Sequence, residues 1–154
     1  MDQQQIEHDQ QHEEWLAAIA QQLAPVFDNS KEGVYVYLDD RHKICNARLA
    51  KMWGYPSAAE WAATPDFLET FVATHPDRVQ VSTSYHQHVH RELTAYRLRF
   101  TVKRKDGRSV RVETQTVPFS YDGQLFAYAF VRELPVTASI ARRRPRATAR
   151  TATR

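Results

Sequence analysis

Between residues 93 and 134 apolar and polar side chains alternate, and the alternation is broken twice at Asp-Gly. Tyr96, Leu98, Phe100 and Val102 interleave with Arg97, Arg99, Thr101 and Lys103, the two-residue period of a half-buried strand. Asp106-Gly107 follows, a dipeptide that supplies positive φ for a hairpin turn. Val110, Val112, Thr114 and Thr116 then alternate with Arg111, Glu113 and Gln115, and Asp122-Gly123 turns the chain again. Residues 125–131 are apolar throughout, which predicts a strand covered on both faces. Such a meander needs layers packed against it, and the rest of the chain must supply them.

Residues 1–14 are almost wholly polar. Trp15, Ile19 and Leu23 then recur at i, i+4, i+8, with Leu16 and Ala20 widening the stripe. This predicts an amphipathic helix over residues 5–24, its first half solvated and its end set by Pro25. Residues 34–38 and 43–45 read as strands by β-propensity. Asn46 is a helix cap before residues 47–53, and a second short helix covers 58–62. Asp66 is expected to cap a third over 67–72. Pro76-Asp77 suits the first turn of a longer helix reaching residue 92. All four glycines fall at junctions between these elements. The fold class is α+β: residues 1–24 form a helix, 25–134 a domain and 135–154 a tail. Residues 34–38, 43–45, 95–104, 109–119 and 124–132 are expected to pair in one antiparallel sheet.

Charge alters the picture only at the end of the chain. The formal net charge of the 154 residues is +3, but residues 142–154 carry six arginines and no acid. The remainder has 15 basic and 18 acidic groups, net −3. An Arg/Ala/Thr tail buries no apolar surface and is expected to be disordered; through it, nucleic acid would bind only weakly and with strong salt dependence. A single cysteine, Cys45, excludes an internal disulfide and fits a reducing cytoplasm. No apolar run approaches a membrane span, and the glutamine-rich start is not a signal peptide.

Five short motifs in order carry a resemblance. They are the run Val26-Phe27-Asp28-Asn29-Ser30 before Gly33-Val34-Tyr35-Val36, then Cys45-Asn46, Gly54-Tyr55, His75-Pro76-Asp77-Arg78 and Lys105-Asp106-Gly107-Arg108. Residues 26–134 resemble a PAS domain, whose five-stranded antiparallel sheet has helices inserted between its second and third strands. The resemblance implies a sensory or interaction module that acts by signal transfer, in company with a signalling effector. It also implies a central cavity lined by Tyr96, Leu98, Phe100, Val112 and Thr114, with Val102 and Thr116 on the same face. On the last strand it favours Phe126, Tyr128, Phe130 and Arg132 inward, leaving Leu125, Ala127, Ala129 and Val131 outward. A small-molecule ligand in that cavity is one expectation; a ligand-free dimerisation scaffold is the other. The usual Asp-Ile-Thr-like exit is replaced by Arg132-Glu133-Leu134-Pro135-Val136-Thr137.

Candidate chemistry is sparse. His86 and His90 share a helix face, and imidazoles one turn apart can converge on an ion; the plain alternative is a solvated surface. The resemblance adds haem, since some PAS domains ligate it through a histidine on this helix. Flavin photochemistry is not expected, because residues 62–67 lack the cysteine that the light-sensing branch uses, and Cys45 reads as a small buried hydrophobe. No Gly-x-Ser-x-Gly, phosphate loop or Cys/His pair marks a catalytic site, so no enzyme is expected. The one rival enzyme-class fold is a cone-shaped α+β isomerase or dehydratase, which puts more helix before its first strand. The stripe Trp15, Ile19, Leu23 has no partner among the inserted helices. It is expected over the outer sheet face, against Leu125, Ala127, Ala129 or Val131 of its own chain or of a homodimer partner.

Overall fold

Helix α1 spans Gln3–Asn29 in a computed structural model that describes residues 2–135; the expectations for the arginine-rich tail lie outside the described residues. Asp2 opens the helix by accepting from the Gln5 N–H at 2.8 Å, as short polar side chains do at free helix donors. Pro25 does not end the helix as expected but lies within it. Its ring removes one i→i−4 hydrogen bond. The last turn closes nevertheless: the Asn29 amide donates to the Pro25 carbonyl at 2.8 Å, and the Ser30 N–H donates to the Val26 carbonyl at 2.9 Å.

Strands β1 (Gly33–Asp39), β2 (His42–Cys45), β3 (Tyr96–Lys103), β4 (Ser109–Tyr121) and β5 (Gln124–Glu133) form one antiparallel sheet in the order β2-β1-β5-β4-β3. The first strand therefore lies beside the last, as expected. Helices α2 (Ala47–Met52), α3 (Ala58–Ala63), α4 (Phe67–Phe71) and α5 (His75–Ser84) intervene between β2 and β3. The helix expected to run unbroken to residue 92 changes pitch at Tyr85 and continues as a π-helix, Tyr85–Glu92. The wider turn buries Val89 completely while the His88 ring stacks on Tyr96 with centroids 4.8 Å apart. At α4 the expected cap is also different. Asp66 is left-handed (φ 57°) and its side chain caps nothing. Asp40 Oδ1 instead accepts from the Phe67 N–H at 2.9 Å, across 27 positions of sequence.

Two layers cover the sheet. On the inner face the helices pack Trp53, Trp61 and Phe71 against Tyr35, Phe100 and Val112. On the outer face α1 packs Leu16 and Ile19 against Val36, Leu38 and Phe126, bordered by Trp15, Leu23 and Tyr128. The indole N–H of Trp15 donates to Asp122 at 2.8 Å. The apolar stripe thus covers its own domain, but its partners on β5 are not those expected. Phe126 and Tyr128 face α1, whereas Ala127, Ala129 and Val131 face the helices. The register pairs Ala129 with Tyr35 on one side and Thr116 on the other, and Ala127 with Tyr37. Two bulky tyrosines on β1 crowd the inner face, so small residues fit beside them and the large rings go outward. The first half of α1 is not simply solvated either. His12 is only 7% exposed; burial first, then the adjacent His8 and His42, lower its pKa.

Asn46 joins these layers. Its Oδ1 accepts from the Val34 N–H (3.0 Å) and, as the α2 cap, from the Leu49 N–H (2.9 Å). Its Nδ2 donates to the carbonyls of Phe27 (3.3 Å) and Glu32 (3.2 Å). Nearby, a Cβ on Gly33 would lie 2.8 Å from Leu49 Cδ1 and 3.2 Å from its Cα, so only glycine lets β1 approach α2 this closely. Asn46→Ala removes a cap and strands buried partners, and is expected to cost about 2–4 kcal/mol in urea unfolding. Asn46→Ser restores the capping oxygen alone and should recover about 1 kcal/mol of that loss.

Candidate functional site

A cavity of about 170 Å³ lies between the inner sheet face and α4, α5 and the π-helix. Its polar groups are four tyrosines, Tyr35, Tyr37, Tyr85 and Tyr96, together with Ser82 and His86 at the rim; Phe67, Leu68, Val81 and Ala127 complete the wall. Alternation places Tyr35 and Tyr37 on the same face of β1, and the first π-helical residue points Tyr85 at them, with Tyr37 and Tyr85 rings edge to face at 5.5 Å. The Tyr37 hydroxyl donates to Asp40 Oδ1 (3.1 Å), and the Tyr85 hydroxyl donates to the Leu38 carbonyl at a long 3.4 Å. Tyr35 lines the cavity beside them and packs its ring against Trp53, Trp61 and Phe67.

All four phenols are neutral at physiological pH. Burial pushes Tyr85 and Tyr96 up to about 12. It pushes Tyr35 and Tyr37 higher, with the Asp40 carboxylate adding to the effect at Tyr37. Tyr37 and Tyr85 already spend their protons on Asp40 and Leu38, so the wall combines aromatic rings with the neutral hydroxyls of Tyr35 and Tyr96, a lining for a small neutral molecule.

Of the residues read from the sequence, Tyr96 lines the cavity. Phe100, Val112 and Thr114 are buried on the same face, and Leu98 packs at its edge. Tyr128, Phe130 and Arg132 lie on the opposite face, for the packing reason given above. There Arg132 and Arg99 both donate to Glu113, with Nε–O distances of 2.9 Å each. Ala127, expected outward, is a cavity residue. Tyr35, Tyr37 and Tyr85 were not singled out by sequence. Their alternation on β1 was a usable signal, but nothing in the sequence tells which face of β1 opens on the cavity.

No protein-family model matches the chain, and no curated protein matches it. Solved structures do. The PAS domain of an HTR-like protein from Haloarcula marismortui aligns with a TM-score of 0.56 at 21% identity, over 81% of this chain and 99% of that one. A PAS domain from Colwellia psychrerythraea aligns at 0.60 and 18% identity, over 75% and 97%. A third, from a LuxR-family transcriptional regulator of Burkholderia thailandensis in complex with ethanol, aligns at 0.55 and 15% identity, over 72% and 96%. The chain has the PAS fold.

The His75–Arg78 segment and the β3–β4 turn are bonded within the protein rather than turned to the cavity. Asp77 accepts from the Thr101 N–H on the edge strand β3 at 2.9 Å, and Arg78 Nε donates to the Leu68 and Val72 carbonyls at the end of α4. At the β3–β4 turn Arg104 reaches the Met52 carbonyl at 2.6 Å, and the Lys105 N–H bonds Trp53 O at 3.1 Å. The PAS cavity here does not fit haem. His86 stands at its rim, exposed, with His90 beside it at a ring distance of 6.2 Å. A volume of about 170 Å³ is well below the roughly 300–1,000 Å³ of pockets for drug-sized ligands, and haem is larger still. Cys45 is buried in the helix-side core and its thiol is pushed up to about 12 by burial, so it is no nucleophile near neutral pH.

The tyrosine wall makes alkaline stability a direct readout. Unfolded tyrosine ionises near pH 10, whereas Tyr85 and Tyr96 hold their protons to about 12. Over that window the unfolded state binds fewer protons, so stability falls as pH rises. Melting temperature is expected to be flat up to about pH 9 and to drop steadily above pH 10. Tyr85→Phe and Tyr96→Phe should each flatten that drop.

Proposed function

We propose that this chain is a sensory module that binds a small neutral molecule in the tyrosine-walled cavity and passes the change through its sheet to α1. The observation that carries this reading is the cavity itself, which sets hydroxyl donors against aromatic rings within an otherwise close-packed core. Its size matters. An engineered apolar cavity of about 150 Å³ takes up benzene, so about 170 Å³ suits a molecule of that bulk or less. The LuxR-family PAS domain with ethanol offers a precedent for a ligand of small size. The route outward is short, since Tyr35 and Val36 are adjacent on β1 and face the cavity side and α1 respectively. For a ligand to act this way it must bind one of two packings better than the other.

Assembly as a homodimer fits the outer face, where Phe119, Tyr128 and Phe130 remain part-exposed beside α1. Signal transfer to an effector, rather than catalysis, fits a cavity whose four tyrosines all stay neutral. No helix among the described residues is long and apolar enough to cross a membrane, in keeping with action in the cytoplasm. The second reading, a ligand-free dimerisation scaffold, is favoured by the core on which the cavity borders, where Trp53, Trp61 and Phe71 are fully buried.

Native mass spectrometry of the purified chain, with NMR titration of phenol, cyclohexanol and ethanol, separates the two. Binding should shift amide resonances of Tyr35, Tyr96 and Ala127. Ala127→Leu fills the cavity, and should abolish those shifts while leaving the melting temperature equal or higher. If no probe binds and no adduct is carried, the scaffold reading stands. A monomer at all concentrations in light scattering would remove the homodimer.

A further inference from the structure

Where α1 crosses the β1–β2 hairpin, five titratable side chains converge far along the sequence from the cavity-lining helices. Helix α1 contributes His8, Asp9 and His12, with the two histidines one turn apart, and the hairpin contributes Asp39 and His42. The His12 and His42 rings meet edge to face at 4.8 Å, and His8 lies 4.2 Å from His12. His12 and His42 are 7% and 5% exposed, which is unusual for histidines on a helix start and a hairpin.

Two features separate this cluster from ordinary packing. First, His12 Nδ1 is buried with no hydrogen-bond partner; its nearest anionic oxygen is Asp39 Oδ2 at 3.8 Å. Buried ring nitrogens are normally satisfied, so this atom lacks something. Second, His42 Nδ1 lies 2.8 Å from Asp39 Oδ1, while its Nε2 lies 3.7 Å from Asp9 Oδ1. Both ring nitrogens of His42 therefore look onto carboxylates. Asp39 thus stands between the two imidazoles, with one carboxylate oxygen towards each.

We propose that His12, Asp39 and His42 form a site for a divalent transition-metal ion of the zinc class, with His8 and Asp9 at its mouth. One ligand atom from each of the three lies within 4.8 Å of the others, a gap that small side-chain rotations close to tetrahedral spacing around ligand bonds of about 2.0–2.2 Å. Two imidazoles with carboxylate select zinc, cobalt or nickel over calcium and magnesium, which prefer all-oxygen sets. Arg41 Nη2 sits 3.4 Å from Asp9; its side chain is 63% exposed and free to swing away when Asp9 turns to the ion. The cleft in front of the cluster is open to solvent between Gln5 on the helix and Asp40 on the hairpin, so an ion has a path in. Occupancy fastens the first half of α1 to the sheet at a point remote from Asn46. The site is independent of the cavity ligand, and either can fail without the other.

The test uses the full chain stripped of metal with a chelator. Cobalt(II) titration should give visible d–d absorption that saturates at one ion per chain, and zinc should displace it. Zinc, but not calcium, should raise the melting temperature, because an ion that binds only the folded state stabilises it. His12→Ala, His42→Ala and Asp39→Ala each remove one ligand, and each should remove the cobalt spectrum and the zinc shift. His90→Ala should leave the cobalt spectrum and the zinc shift unchanged. Because His12→Ala also removes packing beneath α1, imidazole nitrogen NMR on the unmutated chain gives a second reading: zinc should move the His12 and His42 resonances and leave those of His86 and His90. Absence of cobalt and zinc binding overturns the proposal. So does binding that survives both histidine substitutions, or that maps to His86 and His90.

Discussion

A buried amide is stable only if each of its polar atoms finds a partner, and at Asn46 that requirement is met by four different segments of the chain. Its oxygen serves β1 and α2, and its nitrogen serves the end of α1 and the loop before β1. Remove the side chain and β1 loses a donor's partner, α2 loses its cap and two carbonyls face apolar surroundings at once. Hydrogen bonds of this kind contribute little when made and much when broken. The two layers around the sheet are therefore coupled through one residue that is only 3% exposed. Gly33 tightens the same junction from the other side, since any side chain there would drive Leu49 away from the strand.

Most of the fold was legible because it is written in local rules. Asp-Gly turns, period-two strands and the Asn46 cap each state their own geometry, and all five strands fall close to where those rules put them. What was not legible needed information from elsewhere in the chain. Residues 125–131 are apolar at every position, so the period is present but its phase is not. Only the bulk of Tyr35 and Tyr37 opposite decides that Ala127 and Ala129 turn inward. Pro25 reads as a stop, yet Asn29 closes the final turn. Asp66 has the composition of a cap, yet Asp40, distant in sequence, occupies that role.

The sites divide along the same line. The cavity's β3 member, Tyr96, followed from alternation, whereas Tyr85 depends on a change of helical pitch that no periodicity announces. The polar start of α1 looked solvated because histidine and aspartate normally are. His12 and His42 are drawn under cover by tertiary packing alone, with His12 stacked on Trp15 at 5.2 Å. The family motifs, by contrast, were easy to find and turned out to be structural. Asp77 and Arg78 spend their hydrogen bonds on main-chain groups, so they report the fold and say nothing of the ligand.

Helix α1 is long enough for small tilts to matter. Its C-terminal end is pinned where Phe27 meets Asn46, and just before that point Pro25 leaves the Gln21 carbonyl without its helical donor. From there to Gln3 the rod is about 36 Å long at 1.5 Å per residue. A tilt of about 5° at the fulcrum moves the far end by about 3 Å over that length. Leu16 and Ile19 lie about 12–17 Å from the pinned end, so the same tilt carries them only about 1–1.4 Å, and their seats against Val36 and Phe126 set how far the tip can travel.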